Sequence, residues 1–270
     1  MLSLEKQLLY ILIRKPGIAA AELLAIYKKR AYSAQSIRNA LTRLKKSKYI
    51  NRREHGYFLS PAGALFIHAF QDKIQSKTHD WDGNWQLVTY QIPESKRRWR
   101  NLLRQELLDL GYGQLFQSVF ISPHDQIRTV RQIFAALHVQ HYANVFSGRW
   151  IYGEIGRRVD EIWDLPGIGA MYQDFISWAG KRQTDWTSEE TMDSWDAFFH
   201  VLELGERFGA ILLKDPVLPV RLLPADWPAE EAWGAYRRLF NALTAYVATD
   251  AGALRLIKNE KEVTDSRLDG

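Results

Sequence analysis

The chain has 270 residues, 46% hydrophobic and 25% charged, which excludes a disordered polyelectrolyte and makes two or three domains the expectation. It contains no cysteine, which excludes disulfides, thiolate zinc sites and a cysteine nucleophile, and it has no apolar run near the roughly 20 residues that cross a bilayer. The net charge of +5 conceals an asymmetry: residues 1–77 carry 15 Lys and Arg against 4 Asp and Glu, so the remainder is net acidic.

A basic segment on a mildly acidic body is the charge pattern of a nucleic-acid reader. With no signal-peptide pattern at the start, a soluble cytoplasmic protein without a membrane partner is expected. The first predicted helix opens at Ser3-Leu4-Glu5, turns Leu8, Leu9, Ile11 and Leu12 inward, and stops at Lys15-Pro16-Gly17. A shorter helix covers Ala19 to Lys28. In the third, Ile37, Ala40, Leu41 and Leu44 fall at i, i+3, i+4 and i+7, one buried stripe. The opposite face carries Gln35, Ser36, Arg38, Asn39, Thr42, Arg43, Lys45 and Lys46. Asn51, Arg52, Arg53 and His55 then lead to Gly56 and the alternating Tyr57-Phe58-Leu59, the pattern of a hairpin with a charged tip.

Three helices and a two-stranded wing predict a winged helix-turn-helix, the third helix being the recognition helix, within a DNA-binding domain of residues 1–77. Arg38 and Arg43 are candidates for bidentate guanine contacts, and Asn39 or Gln35 for adenine. Ser36 and Thr42 share that face. Lys45, Lys46, Lys48, Arg52 and Arg53, with His55 at the wing tip, are placed for phosphate. The competing reading is a solvated helix surface in a domain that binds protein. Pro61 opens a further helix to Phe70, and Gln71 to His79 is a polar connection.

Residues 78–150 are predicted as a ferredoxin-like α+β domain. Its elements are a strand at Gln86 to Ile92, a helix at Glu94 to Leu110, one or two strands within Leu115 to Ile121, a helix at His124 to Leu137 and a strand at Val139 to Phe146. Residues 151–270 are predicted helical, with helices at Ile155 to Trp163, Ile168 to Gly180, Ser188 to Phe208 and Ala229 to Thr249. An ordered Pro-rich connection spans Lys214 to Pro228, and the charged tail after Lys258 is frayed. The fold class is thus multidomain α+β.

Arg97, Arg100 and Arg104 recur at helical spacing and are candidates to hold the phosphates of an acyl-coenzyme A, against the plainer reading of a solvated face. Arg149, next to Trp150 at the end of the last strand, is a candidate charged partner in a pocket for an aryl acyl group. Trp150, Tyr152, Trp163, Tyr172, Trp178, Trp195, Trp227 and Trp233 supply aromatic surface for a pocket or for core. No HExxH or HxxxH pair falls on a helix, and neither a GxSxG elbow nor a phosphate loop occurs. No metal site, catalytic residue or resident cofactor is expected, and the protein is read as not an enzyme.

Three stretches resemble the PaaX family of transcriptional regulators: IRNALTRL followed by GYFLSPAG, the run WDGNWQLVTYQIPESKRRWRNLLRQELLDLGYGQLFQSVFISP, and DPVLPVRLLPADWP. The resemblance implies a homodimeric repressor of aromatic-acid catabolic genes, bound to double-stranded operator DNA and released by a small-molecule effector such as phenylacetyl-coenzyme A. It also implies a central domain like the small CRISPR-adaptation nucleases, in which an Asp ending the first strand helps hold a metal. This chain has Gln91 there, and an amide is a poorer ligand than a carboxylate for a hard cation. A metal-dependent nuclease, or a DNA-binding regulator answering to a protein partner, are the alternatives.

Overall fold

Ser33 fixes where the third helix starts. In the computed structural model, which describes residues 4–28, 32–53, 56–61, 63, 81–188 and 192–247, its Oγ accepts the Ser36 N–H at 3.0 Å, satisfying a donor that the first turn leaves without a partner. Helix α3 (Ala34–Lys46) follows α1 (Leu4–Arg14) and α2 (Ala20–Lys28) and precedes the antiparallel strands β1 (Ile50–Arg53) and β2 (Gly56–Leu59). It ends in a left-handed turn at Lys48, φ 60°, where the Tyr49 N–H reaches the Leu44 carbonyl at 3.0 Å and the Lys48 N–H that of Lys45 at 3.1 Å. Ile37, Ala40, Leu41 and Leu44 are buried, as are Leu8, Leu12, Leu23 and Ile50. Tyr57 of β2 also bridges Ile18, and the approach is so close that a Cβ on Gly56 would lie 2.1 Å from the Gly17 carbonyl oxygen.

The chain divides into two units of internal contact. The first comprises Met1–Gln75, Tyr172–Ile211 and Ala229–Gly270, and the second Ser76–Met171 and Leu212–Pro228. In the second, β3 (Asn84–Tyr90), α4 (Arg97–Asp109), β4 (Gly113–Phe116), β5 (Val119–Ser122), α5 (Ile127–Ala136) and β6 (Ala143–Arg149) follow one another as βαββαβ. The four strands form an antiparallel sheet in the order β4-β5-β3-β6. Val88, Tyr90 and Phe120 on one face bury Leu103 and Leu107 of α4 and Val130 and Phe134 of α5. The other face sets Trp85, Leu115 and Ile121 against Val159 of α6 (Ile155–Ile162), with Trp163, Leu165 and Leu218.

The first unit completes its core with aromatic residues from three helices: α7 (Leu165–Ser188), α8 (Ser194–Leu212) and α9 (Ala229–Val247). The Phe208 ring lies 4.4 Å from Trp233 and 4.9 Å from both Phe175 and Tyr236. A Cβ on Gly205 of α8 would meet the Tyr10 ring of α1 at 3.9 Å.

Several element boundaries differ from the sequence expectation. The last strand of the sheet begins at Ala143 rather than Val139, because α5 closes in a left-handed turn at His138, φ 52°, with the Val139 N–H on the Phe134 carbonyl. The helix expected over Ile168 to Gly180 starts at Leu165, where Pro166 is tolerated in a first turn, and runs through Gly180 to Ser188. The next helix starts at Ser194, not Ser188, since the Asp193 carboxylate accepts the Trp195 and Asp196 N–H groups at 2.7 and 2.9 Å. The region 214–228 is packed: Asp215 is buried and accepts the Val217 N–H at 2.7 Å, and Leu218 is wholly enclosed. Of the helix expected at Pro61 to Phe70, Pro61 and Gly63 are helical and the other positions lie outside the described residues, as do the connection at 71–79 and the tail after Lys258. No helix among the described residues is long and apolar enough to cross a membrane.

Candidate nucleic-acid interface

Because the stripe of α3 that carries Ile37 to Leu44 is fully used in the core, its remaining side chains have only solvent to face. Gln35, Ser36, Arg38, Asn39, Thr42, Arg43, Lys45 and Lys46 are all exposed. Gln35 donates to Asn39 Oδ1 at 2.9 Å, Ser36 Oγ lies 2.8 Å from Ser33 Oγ, and Thr42 Oγ1 donates to the Arg38 carbonyl at 2.8 Å. These are short local contacts that a base edge or phosphate can replace at small cost. Arg43 Nε donates to the carboxylate of Glu5 in α1. Among the described residues Arg38, Lys45 and Lys46 have no side-chain hydrogen bond or ion pair.

Beside this face the hairpin presents Asn51, Arg52 and Arg53, all exposed, with the Arg53 guanidinium 5.1 Å above the Phe58 ring. Lys48, exposed at the end of α3, adds a further cation. His55 lies outside the described residues. The sequence pattern picked out these polar and basic groups but not Glu5, whose pairing with Arg43 spans 38 positions and has no local signal.

The other candidates fall into two groups within the second unit. Arg97, Arg100 and Arg104 lie on α4, which follows the end of β3 at Tyr90. Arg149 ends β6 opposite Asn84, at the start of β3, where its charge helps hold the Asp82 carboxyl below its usual range, after the hydrogen bonds from Asn84. The seven residues of β3 set its two ends about 20 Å apart. Trp150 packs partly into the core beside Trp85 and donates to the Gly153 carbonyl at 3.0 Å. The aromatic candidates divide likewise: Trp163 and Trp227 pack with Trp85, Tyr172 and Trp233 pack around Phe208, Trp178 and Trp195 lie elsewhere in the first unit, and Tyr152 is 94% exposed.

Gln91 is exposed just beyond β3, its N–H on the Tyr142 carbonyl at 2.8 Å. Among the described residues no three His, Asp or Glu side chains are grouped to hold a metal ion.

Residues 78–159 match the family model of the PaaX protein central Cas2-like domain, and residues 163–252 that of the PaaX-like protein C-terminal domain. The chain belongs to the PaaX family. The PaaX central domain thus takes in the whole βαββαβ sheet and most of α6, and the PaaX C-terminal domain takes in α7, α8 and α9. A relative within reach of sequence comparison is the Transcriptional repressor PaaX of Escherichia coli (strain K12), 26% identical over 242 residues, covering 84% of this chain and 75% of its own. The solved structure of Uncharacterized protein Rv0674 from Mycobacterium tuberculosis shares the fold, with a TM-score of 0.58 at 22% identity over 90% of this chain and 96% of that one.

Proposed function

We propose that this PaaX-family protein is a transcriptional repressor that reads double-stranded operator DNA with a winged helix-turn-helix, α3 being the recognition helix and β1–β2 the wing. The observation that carries the reading is the division of α3: Ile37, Ala40, Leu41 and Leu44 are buried, while eight polar and basic side chains on the other face are exposed, as are Arg52 and Arg53 of the hairpin that follows. Arg38, Asn39, Gln35 and Arg43 are the base readers in this proposal, and the lysines and wing arginines meet phosphate. The chain's similarity to the transcriptional repressor of E. coli supports the repressor assignment.

Two half-sites need two copies, and the proposed functional unit is a homodimer. Its support lies in the ferredoxin-like domain, where β6 forms one edge of the sheet among the described residues and Phe146 is 58% exposed. Ile151 and Tyr152, 96% and 94% exposed, are held outward on the turn that Trp150 closes against Gly153. The proposed effector is an aryl-acyl-coenzyme A such as phenylacetyl-coenzyme A, governing aromatic-acid catabolic genes, and the protein performs no catalysis. Release requires the effector to favour the arrangement that does not bind DNA, and moving a 1:99 balance to 99:1 needs about 5.5 kcal/mol of differential affinity.

The test is fluorescence anisotropy on the DNA upstream of its own gene, with and without the thioester. Loss of binding with phenylacetyl-coenzyme A, but not with phenylacetate, is expected. Specific binding that ignores the thioester removes the effector and leaves the repressor. Failure to prefer that DNA over a scrambled duplex overturns the proposal.

A further inference from the structure

Helix α4 carries its charges in the order least favourable to itself. Arg97, Arg98 and Arg100 stand in its first turn, where aligned peptide dipoles already make the potential positive, and Glu106 and Asp109 stand near its end, where the potential is negative. At the acidic end Asp109 accepts from the Gln105 side-chain amide at 2.8 Å, while burial and the nearby Asp109 both push the Glu106 carboxyl up. At the basic end, Glu94 is the one carboxylate within ion-pair range among the described residues, 2.9 Å from Arg100 and 3.8 Å from Arg97. Arg104 donates to a neutral acceptor, Gln114 Oε1, at 3.1 Å, and Arg98 lies 5.8 Å over the ring of Trp99. Arg97, Arg98 and Arg104 are exposed, the Arg97 side chain at 69%. Burial pushes the Tyr90 phenol up, and the charges of Arg104 and Arg100 both oppose that push.

Arg97 and Arg100 therefore share one carboxylate at the end of the helix where their charge is least favourable, and among the described residues Arg98 and Arg104 have none. A local rule broken without a local compensation marks a functional surface. We propose that this arginine face of α4 is a second phosphate-binding surface, and that its partner is the backbone of duplex DNA. The inference rests on the DNA-binding reading of α3 but concerns a different domain. The shape selects the partner. From Arg97 to Arg104 is about 10 Å of helix axis, the length over which one strand of duplex presents about three phosphates. The guanidinium groups stand on an exposed helix, whereas small anionic ligands are held in concave sites. A backbone surface of this kind adds affinity and salt dependence without reading bases.

The experiment uses the full-length protein on its own upstream duplex over a salt series. The triple variant Arg97→Gln, Arg100→Gln, Arg104→Gln is compared with wild type and with Arg38→Ala. Each lost phosphate contact lowers the slope of log K against log salt by about 0.9, so the triple variant is expected to bind with a slope shallower by about 2 to 3. Its preference for that duplex over a scrambled one should be unchanged, and its thermal midpoint equal to or above that of wild type, since the removed charges oppose the helix. An unchanged slope in the triple variant, with Arg38→Ala losing specific binding, overturns this inference and leaves the α3 reading intact. An unchanged slope with lost affinity for coenzyme A assigns the cluster to a small ligand and overturns it too. A wild-type protein that binds no duplex overturns both readings.

Discussion

The guanidinium of Arg43 in α3 is held by the carboxylate of Glu5 in α1. One of the two arginines best placed to read a base is thus tied to the helix behind it. The Arg43 side chain remains 62% exposed, so the pair contributes little to stability, within about 1 kcal/mol. Glu5→Gln removes a negative charge from beside the phosphate-facing surface. We expect tighter binding to operator and scrambled duplex alike, by roughly two- to fivefold, or about 0.5–1 kcal/mol. Anisotropy on both duplexes checks it. Weaker, less specific binding would show instead that Glu5 aligns Arg43 for base reading.

Three helices end in the same left-handed turn, at Lys48, Gly111 and His138, and only one of the three positions carries glycine. His138 has φ 52°, a conformation in which a side chain crowds its own backbone. His138→Gly relieves that crowding but frees the unfolded chain, and the net gain should be about 0.5–1 kcal/mol. The expected rise in Tm is a few degrees, roughly 2–4 °C per kcal/mol for a protein of this size. Gly111→Ala, at φ 88°, should lower Tm by a similar amount. Scanning calorimetry of both variants is the check, and changes of the same sign would contradict the argument.

Beneath α4 and α5 lies a buried polar cluster. The Tyr112 hydroxyl donates to Gln86 Oε1, which also accepts the Gln126 N–H at 3.2 Å, while Gln86 Nε2 donates to Asp125 Oδ1 at 3.0 Å. Burial pushes the Tyr112 phenol up, and the charge of Asp125 adds to the shift. Tyr90 is raised by burial as well. The folded state therefore keeps protons that the unfolded chain releases near pH 10. Stability is full below that pH and falls as the pH rises above it. Tyr112→Phe should cost about 1–2 kcal/mol at neutral pH, through the lost hydrogen bond, yet show a shallower alkaline decline. Urea unfolding at about pH 7 and pH 10.5 separates the two effects, and equal alkaline slopes would refute the assignment.

Ile151 and Tyr152 stand in solvent on an ordered turn, next to the edge strand β6. Replacing them with Asp and Ser should leave the protomer folded, because neither side chain is buried in it and exposed substitutions change its stability by less than about 0.5 kcal/mol. The same pair of changes should convert the proposed dimer to monomer in sedimentation equilibrium and weaken operator binding. A double variant that sediments like wild type moves the interface elsewhere.

Read alone, the sequence determined what depends on neighbours along the chain. The spacing of Ile37, Ala40, Leu41 and Leu44 fixed both the buried face of α3 and its exposed complement, since a helix repeats every 3.6 residues whatever it packs against. The βαββαβ order followed in the same way from apolar runs and their Gly and Pro breaks. Boundaries set by caps were harder to place. Asp193 starts α8 through two hydrogen bonds, and His138 ends α5 in a conformation that composition assigns to glycine. Partnerships between distant residues came only from the tertiary structure. Arg43 meets Glu5 because α1 packs on α3, and Arg149 lies far from Arg97 because strand register pairs it with Asn84 while α4 departs from the opposite end of β3. Periodicity assigns a residue to a face; register and packing decide what that face meets.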